Sequence, residues 1–506
     1  MAPPKFMGLT GSSLSLAVST VATTGFLLFG YDQGVMSGII TASDFNNVFE
    51  ATRDSSPMQG TITAIYEIGC LIGAIFILAV GDGLGRRKAI ILGGFIMLIG
   101  VIIQVACVAG ATPLAQFIVG RVIMGVGNGI NTSTIPIYQA ECSKTSNRGL
   151  LICIEGGIIA FGTLIAYWID YGASYGPPDL TWRFPIAFQV VFALFICIPM
   201  CFLPESPRWL LSQDRIAEAD EVISALRGYD IDSKETVLER DLIIDSLLAS
   251  GAGAKSTPIR ALFTGGKTQH FRRMMLGSSA QLMQQLGGCN AVIYFCPLLF
   301  QNSLNMTHNM AMLLGGVVMV VYAFFACFSW FTIERVGRRR LFLYGTLGQT
   351  LSMVLIFACL IPDTPAAAKG ATVGLFTYIA AFGATWLPLP WLYPAELSPI
   401  KTRAKANAIS TCTNWMFNFF VVMIVPIMIT NIGWGTYIFF AVMNALFLPI
   451  IWFLYPETAR RSLEEIDIIF AKGFSENISY VKAADQLPHL KLEEMEEYSV
   501  RYGLVD

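Results

Sequence analysis

Charged side chains are scarce in this sequence. Asp, Glu, Lys and Arg make up 13% of the 506 residues and apolar residues 54%, whereas a soluble domain carries roughly a quarter charged residues. Much of the surface must therefore face something other than water. The formal net charge is −2, so no basic surface marks the chain for nucleic acid, which we do not expect as a partner.

Residue patterns typical of metal or catalytic chemistry are also missing. The chain has three histidines, and its eleven cysteines lie mostly singly in apolar stretches, without disulfide or zinc spacing. No nucleophile–base arrangement is recognisable. We expect no metal site, no cofactor and no enzymatic activity. We also expect no removable signal peptide, because the first thirteen residues carry little charge and no cleavage site follows them.

Long apolar runs dominate what the sequence does contain. About 20 apolar residues cross the hydrocarbon core as a helix, and lipid offers the backbone no hydrogen bonds, so such segments must be helices or closed barrels. Strand-like alternation is absent, which favours an all-α polytopic membrane protein. We predict twelve transmembrane helices, at residues 15–40, 60–80, 89–109, 113–138, 149–171, 184–203, 273–300, 310–333, 341–361, 371–393, 405–429 and 434–455.

Lys and Arg are distributed unevenly between the loops. Loops after even-numbered spans are rich in them, as at 86–88, whereas loops after odd-numbered spans hold only Arg53, Arg183 and Lys369. Cytoplasmic loops carry the excess of Lys and Arg, so both termini and the central loop are expected in the cytoplasm. The predicted organisation is an N-terminal six-helix bundle (1–203), a cytoplasmic linker with short helices (204–271), a C-terminal six-helix bundle (272–456) and a cytoplasmic tail (457–506).

Two short motifs each occur once in either half. An acid–x–x–Gly–Arg–Arg turn begins at Asp82 and returns at Glu334. An acid seven residues before an arginine occurs at Glu141 and returns at Glu396. Because both motifs return in the same order and at nearly the same offset, the sequence indicates two duplicated, pseudo-symmetric halves.

Four ionisable side chains stand out within the predicted spans, all in the first half: Asp32, Glu67, Arg121 and Glu155. Each costs several kcal/mol there, which makes it a functional candidate. Burial disfavours a charged carboxylate and a nearby guanidinium favours it, so Asp32 and Arg121 could bind and release a proton as their separation changes. The alternative is a static ion pair between two helices. Whether Glu67 takes part in coupling is open.

The spans of the second half carry amides instead of charges. Amides both donate and accept hydrogen bonds, which suits the hydroxyl groups of a neutral solute. Three of them, Gln284, Gln285 and Asn290, fall within two turns of what we predict to be one seventh helix. The full set is Gln281, Gln284, Gln285, Asn290, Asn414 and Asn418.

Several further motifs resemble, in their order along nearly the whole chain, the sugar-porter family of the major facilitator superfamily. They are Gly30-Tyr-Asp-Gln-Gly34, Pro204-Glu-Ser-Pro-Arg208, Gln284-Gln285 with Asn290, Pro388-Leu-Pro-Trp391 and Pro456-Glu-Thr458. The segments from Phe161 to Asp170 and from Ser410 to Trp415 resemble, more narrowly, the yeast glycerol/proton symporter group and related fungal sugar and polyol proton symporters.

The resemblance implies the major facilitator fold and import of a small neutral sugar or polyol with a proton, across the plasma membrane, by alternating access. We expect a monomer in the lipid bilayer, with the proton as coupling ion bound through Asp32 and Arg121. The expected substrate-binding residues are Gln284, Gln285, Asn290, Trp391, Asn414, Glu155 and Tyr294. The expected cytoplasmic gate residues are Asp82, Arg86, Glu141, Arg148, Glu334, Arg338, Glu396 and Arg403, with Arg148 pairing Glu396 and Arg403 pairing Glu141.

Two positions depart from the family pattern. Gly156 aligns where many sugar porters have a sugar-binding Gln, and Tyr322 stands where many hexose carriers have Asn. Glu155, beside the first of these, either contacts the solute or packs between helices. The choice among glycerol, hexose, pentose and disaccharide is therefore open.

Two other functions and one modification are also considered. Facilitative uniport would make Asp32 a structural acid, and a non-transporting sugar sensor is disfavoured by the short polar tail. Asn305-Met-Thr307 is the only glycosylation sequon that we predict outside the cell.

Overall fold

The computed structural model describes residues 3–53, 55–108, 110, 112–143, 148–249, 259–302, 305–362, 364–399, 402–490 and 492–504. Within these ranges the chain is helical, and the only β-type pairing is an isolated bridge between Phe6 and Leu9. Backbone contacts divide the chain into two compact units, one formed by Met1–Ser55 with Thr61–Thr257 and the other by Ser56–Gly60 with Pro258–Asp506.

Seven helices precede the central polar region. They are α1 (Gly11–Ile39), α2 (Ser43–Val48), α3 (Ser56–Leu84), α4 (Arg86–Val105), α5 (Pro113–Cys142), α6 (Arg148–Ala173) and α7 (Pro178–Met200). Glycine lets two of the long helices approach closely, because a Cβ at Gly125 of α5 would lie 2.2 Å from the Tyr66 carbonyl oxygen of α3, and one at Gly129 would lie 2.1 Å from that of Cys70. The glycines of α5 therefore serve helix packing.

The central polar region continues the first unit with three short helices, α8 (Pro207–Ser212), α9 (Ile216–Arg227) and α10 (Lys234–Ala249). Ion pairs join α9 and α10, with Arg227 to Glu239 at 2.6 Å and Arg240 to Asp220 at 3.1 Å.

The second unit contains the remaining helices. They are α11 (His270–Leu286), α12 (Cys289–Asn302), α13 (His308–Val336), α14 (Arg338–Leu360), α15 (Pro365–Ala381), α16 (Leu389–Leu397), α17 (Arg403–Ile432), α18 (Gly435–Leu454), α19 (Leu463–Ser475), α20 (Tyr480–Gln486) and α21 (Leu492–Arg501). The last three form a small amphipathic cluster around Ile468, Leu487 and Tyr502.

The helices bear out the all-α prediction, and each of the twelve predicted spans coincides with a long helix or a pair of shorter ones. Among the residues that the structure describes, ten helices are long and apolar enough by themselves to cross a membrane. Two predicted spans are not regular helices. The seventh breaks into α11 and α12 at Gly287 and Gly288, so the prediction of one continuous seventh helix is wrong, and a π turn at Phe382–Trp386 interrupts the tenth.

Candidate functional site

Asp32 lies in the middle of the packed face of α1 and is fully buried, with 0% of its surface exposed. Its Oδ2 accepts a hydrogen bond from the hydroxyl of Tyr66 on α3 at 2.9 Å. Its Oδ1 has no hydrogen-bond partner among the described residues. This carboxyl group therefore has one neutral donor and an unfilled acceptor in a site without water contact.

Arg121, on α5, is buried to the same extent. Its Nη2 donates to the carbonyl oxygen of Thr63 at 3.2 Å, and its guanidinium lies 4.7 Å from the centre of the Tyr66 ring. Its Nε and Nη1 make no hydrogen bond, and among the described residues no ion pair joins it to Asp32. Tyr66 thus stands between the two charges, with its hydroxyl on one and its ring face on the other.

Tyr66 is a member of this arrangement that sequence reasoning missed. A tyrosine in an apolar span is usually an interface or packing residue, and nothing in the composition distinguishes this one. The available signal was its place directly before Glu67, a buried acid on the same helix. The role of Asp32 and Arg121 in coupling stays a prediction, since the geometry places them around a shared ring rather than in direct contact.

Two more buried carboxyl groups lie on α6. Glu155 is 2% exposed, and its Oε1 has no hydrogen-bond partner within the described ranges. Asp170 is equally buried and accepts only the backbone N–H of Gly38, at 3.3 Å. Asp170 was not selected from the sequence, because it falls near the predicted end of its span, where a carboxylate can reach water. The first unit therefore holds one more buried acid, Asp170, than was predicted.

The six amides predicted for the solute site lie together in one buried network of the second unit. Asn414 of α17 donates to Gln281 Oε1 at 2.6 Å and to Gln284 Oε1 at 3.2 Å. Asn290 of α12 donates at 2.5 Å to both Gln285 Oε1 and Asn418 Oδ1. None is more than 5% exposed. The network joins α11, α12 and α17, and it contains no charged side chain.

The elements beside the amide network come from the tenth span. Gln284 Nε2 donates to the Trp386 carbonyl at 2.8 Å, and Gln281 Nε2 donates to the Pro390 carbonyl at 2.7 Å. Trp391, which is half-buried, directly follows Pro390 in α16. A π turn commonly marks a functional position in a helix, and here it presents one of the two carbonyls.

The aromatic residues expected near the solute are also buried. Tyr294 lies on α12 with its ring 6.4 Å from that of Phe295, where the backbone leaves helical geometry (φ −125°, ψ 19°). Tyr322, which replaces the Asn of many hexose carriers, is fully buried on α13, and its hydroxyl has no hydrogen-bond partner among the residues described. A hydroxyl of this kind can take a polar partner from a solute.

The repeated acid–arginine motifs form matching ion pairs, one within each unit. At the start of α4, Arg86 binds Glu141 at 3.0 Å. At the start of α14, Arg338 binds Glu396 and Glu334, each at 2.6 Å. Within each unit, the acid of the second motif thus pairs with an arginine of the turn motif.

Of the remaining predicted gate residues, the structure describes the side chain of Arg403. Arg403 donates to the carbonyl of Ser398 at 3.2 Å. The side chains of Asp82 and Arg148 lie outside the described residues, so their predicted pairing is not placed. The gate role of the whole set stays a prediction.

Two glutamates that the sequence analysis quoted only as parts of motifs complete these clusters. Glu205 accepts the backbone N–H groups of Arg86 and Arg87 at 3.1 Å. Glu457 accepts those of Arg338 and Arg339, at 2.8 and 3.1 Å. Each carboxylate thereby caps the unsatisfied amino end of a helix, where negative charge is favourable.

Comparison with known proteins decides the family. A family model described as "Sugar (and other) transporter" matches residues 18–470. The chain belongs to this transporter family. It is 46% identical over 506 residues to "Sugar transporter STL1" of Saccharomyces cerevisiae, covering 99% of this chain and 89% of the relative. It is 43% identical over 508 residues to "Major facilitator superfamily transporter mfsA" of Aspergillus fumigatus, covering 98% and 93%.

Solved structures agree with this family. The xylose transporter XylE from E. coli, in a partially occluded inward-open conformation, superposes with a TM-score of 0.76 at 26% identity, covering 89% of this chain and 100% of that one. A second structure, described as a proton:xylose symporter bound to a bromodeoxyglucose, gives the same score and identity and covers 91% and 100%. The predicted resemblance, the major facilitator fold and the prediction of a membrane transporter rather than an enzyme are confirmed.

Proposed function

We propose that this sugar-family transporter imports a small neutral sugar or polyol together with a proton, by alternating access. It does so as a monomer in the lipid bilayer of the plasma membrane, with both termini in the cytoplasm. The observation that carries the proposal is the buried arrangement of Asp32, Tyr66 and Arg121, because it supplies a carboxyl group suited to binding and releasing a proton.

The proton step follows from the cost of burying charge. An ionised carboxylate with a single neutral hydrogen-bond donor is expensive in a dry site, whereas a protonated Asp32 is neutral. The guanidinium of Arg121 stabilises the ionised form as it approaches Asp32 and loses that effect as the two groups move apart. A helix movement that changes this separation therefore takes up a proton in one state and releases it in the other.

The solute step follows from the chemistry of the amide network. Six neutral amides offer donors and acceptors in one place, which fits a molecule with several hydroxyl groups and no charge. Gln284, Gln285, Asn290 and Asn414 would exchange their mutual hydrogen bonds for bonds to the solute. Trp391 supplies a ring face for the apolar side of a sugar. We place Glu155 and Tyr294 with them as substrate-binding residues.

The clusters at the start of α4 and α14 are proposed to serve as the cytoplasmic gate. Glu141 and Glu396 each have more than one arginine within their repeated motif set, so each acid can change partners during the cycle. These pairs are largely buried, at 16% and 10% exposure for Arg86 and Glu141 and 4% and 17% for Arg338 and Glu396, so opening the gate requires new partners or water for each group.

Facilitative uniport is the second candidate. The hydrogen bond from Tyr66 to Asp32 favours it, since a neutral acid held by a tyrosine could simply fasten α1 to α3. In that case the amide network would work unchanged and no proton would accompany the solute. A non-transporting sensor is the weaker reading, because the compared relatives are named as transporters.

Uptake of labelled solutes tests the proposal. In a transporter-null fungal host, glycerol, a pentose, a hexose and a disaccharide would each be supplied at low concentration with and without a protonophore. We expect at least one of the neutral solutes to be accumulated and the protonophore to abolish accumulation. If the internal solute concentration only reaches the external one, and the protonophore does not change uptake, uniport is favoured instead.

The proposed topology predicts which epitopes antibodies reach. Tags in the 230–250 region and after residue 504 should be detected only in permeabilised cells, because their loops carry the cytoplasmic excess of Lys and Arg. A tag near Asp363, which lies outside the described residues, should be detected in intact cells. Detection of the 230–250 tag in intact cells would reverse the orientation.

Glycosylation gives a second test of the same topology. Asn305 is exposed between α12 and α13 with a left-handed backbone (φ 52°), and it starts a sequon that we place outside the cell. We expect a glycosidase-sensitive mass shift that Asn305→Gln removes. Asn477→Gln is the matched control, since Asn477 is also exposed and starts a sequon, but in the cytoplasmic tail. A shift that persists in Asn305→Gln would contradict the loop assignment.

A further inference from the structure

The break in the seventh span is built into the sequence. Gly288, between α11 and α12, has φ +94°, a region that residues with a side chain rarely adopt. A Cβ at this position would also lie 2.8 Å from the ring of Phe440 on α18. Any other residue would therefore strain the backbone and collide with a neighbouring helix, so the break is held at this point.

The carbonyl that the break releases from the helix has two side-chain donors. Gly287 O accepts from the hydroxyl of Tyr378 on α15 at 2.7 Å and from Asn444 Nδ2 on α18 at 2.9 Å. Both side chains are at most 1% exposed. No backbone N–H of the described residues donates to this carbonyl. The two donors thus come from α15 and α18, neither of which supplies one of the six amides of the network. These helices hold the break in place.

A third polar side chain lies beside Gly287. The Oε1 of Gln349 on α14 would lie 3.3 Å from a Cβ built at Gly287, so its amide reaches the break. Its Nε2 is buried and has no hydrogen-bond partner among the residues that the structure describes. Because Oε1, an acceptor, is the Gln349 atom that faces Gly287, this side chain adds no donor to the carbonyl.

We propose that Tyr378 and Asn444 are positioning residues that pin the break and thereby set the geometry of the amide network. Gln285 precedes the break and Asn290 follows it, and the hydrogen bond between them crosses it. A rotation of α12 about Gly287 would therefore separate these two amides. The hydrogen bonds from Tyr378 and Asn444 to the Gly287 carbonyl keep them together. The inference rests on the proposed function for the nature of the solute, whereas the pin is a property of the second unit alone.

The double donation makes a specific prediction for a mutant cycle. A carbonyl oxygen has two lone pairs, so removing one donor leaves it bonded and costs little, whereas removing both leaves a buried acceptor unpaired. Tyr378→Phe and Asn444→Leu should each change the half-saturating solute concentration by about threefold or less. The double variant should change it by roughly ten- to a hundredfold, more than the product of the two.

The measurement is equilibrium exchange of labelled solute in proteoliposomes without a pH gradient, with rates divided by the amount of folded protein. Tyr393→Phe is the matched control, because it also removes a buried tyrosine hydroxyl that donates to a backbone carbonyl, that of Pro456 at 2.9 Å. A double variant with less folded protein but an unchanged half-saturating concentration would overturn the pin. If it does not fold, Asn444→Ala, which also removes the donor, replaces Asn444→Leu.

Hydrogen–deuterium exchange of the purified protein tests the pin without any solute. The amides of residues 286–296 should exchange faster in the double variant than in the wild type or in Tyr393→Phe. Equal exchange in all three would overturn the inference even if the protein transports. A wild type that exchanges no sugar or polyol would instead refute the proposed function, while the deuterium result still decides the pin.

Discussion

Asp32→Asn is expected to abolish accumulation of solute against its gradient while leaving solute exchange in place. The amide mimics the protonated carboxyl group, so the site is permanently neutral and a proton can no longer drive the cycle. A gradient of one pH unit supplies about 1.4 kcal/mol, and about 100 mV adds roughly 2.3 kcal/mol per charge. One proton could therefore sustain an accumulation of about a few hundredfold, and the variant should reach only the external concentration.

Uphill uptake in proteoliposomes with an imposed pH gradient measures this effect. Asp179→Asn is the control, because Asp179 carries an exposed carboxylate (78%) at the start of α7 beside Arg183. It should accumulate solute like the wild type. Replacing Arg121 should damage coupling too, since it strands a buried acid. If Asp32→Asn still concentrates solute, Asp32 is not the coupling site and Glu67 or Glu155 becomes the candidate.

Asn290→Ala and Gln285→Ala are expected to weaken solute affinity by about threefold to a hundredfold. Loss of one neutral hydrogen bond costs roughly 0.5–1.5 kcal/mol, and a buried partner left unpaired costs more. Asn290 should show the larger effect, because its Nδ2 donates at 2.5 Å to both Gln285 and Asn418. Folding and delivery to the cell surface should be retained in both variants.

Half-saturating concentrations for uptake, with surface amounts measured in parallel, give the comparison. Asn431→Ala serves as the control, since Asn431 is an exposed amide of α17 that donates to the carbonyl of Ile427 in its own helix, at 2.9 Å. Its affinity should match that of the wild type. Unchanged affinity in both Asn290→Ala and Gln285→Ala would move the solute site away from the amide network.

Hydropathy predicted the helical spans but not their interruptions. A window of apolar residues has the same mean hydropathy whether or not the helix inside it is continuous. Residues 273–300 were therefore predicted to form one helix. The signal was present in Gly287 and Gly288, because two adjacent glycines weaken a helix and allow a positive φ. The π turn at Phe382–Trp386 has no comparable signature in the sequence.

The amide network was predictable for a simple reason. Gln281, Gln284 and Gln285 recur at helical spacing, which places them on one face of α11. Amides on one apolar helix face need partners, and the other candidates were the asparagines of the later spans, such as Asn414. The pairing of donors and acceptors within the network depends on how the helices pack. Residue spacing along the chain does not determine that packing.

The charged groups were harder to interpret. The repeated turn motifs identified Arg86 and Arg338, but their acid partners depend on how neighbouring helices end. Glu205 and Glu457 were recognised only as members of sequence motifs. A carboxylate beside the amino end of a helix nevertheless has a direct physical role, because it caps the free N–H groups there. Tyr66 was missed because its contribution lies in its position between Asp32 and Arg121, and its place directly before Glu67 was the one signal in the sequence.

Solute-induced proton movement is the most direct test of proton-coupled import. Wild-type protein in lightly buffered proteoliposomes, with no imposed gradient, would receive a pulse of an accepted solute while the external pH is recorded. If each solute molecule enters with a proton, the medium should turn alkaline as solute enters, and Asp32→Asn should remove that signal. Entry of solute at the same rate with no change in external pH would contradict the account and show a uniporter.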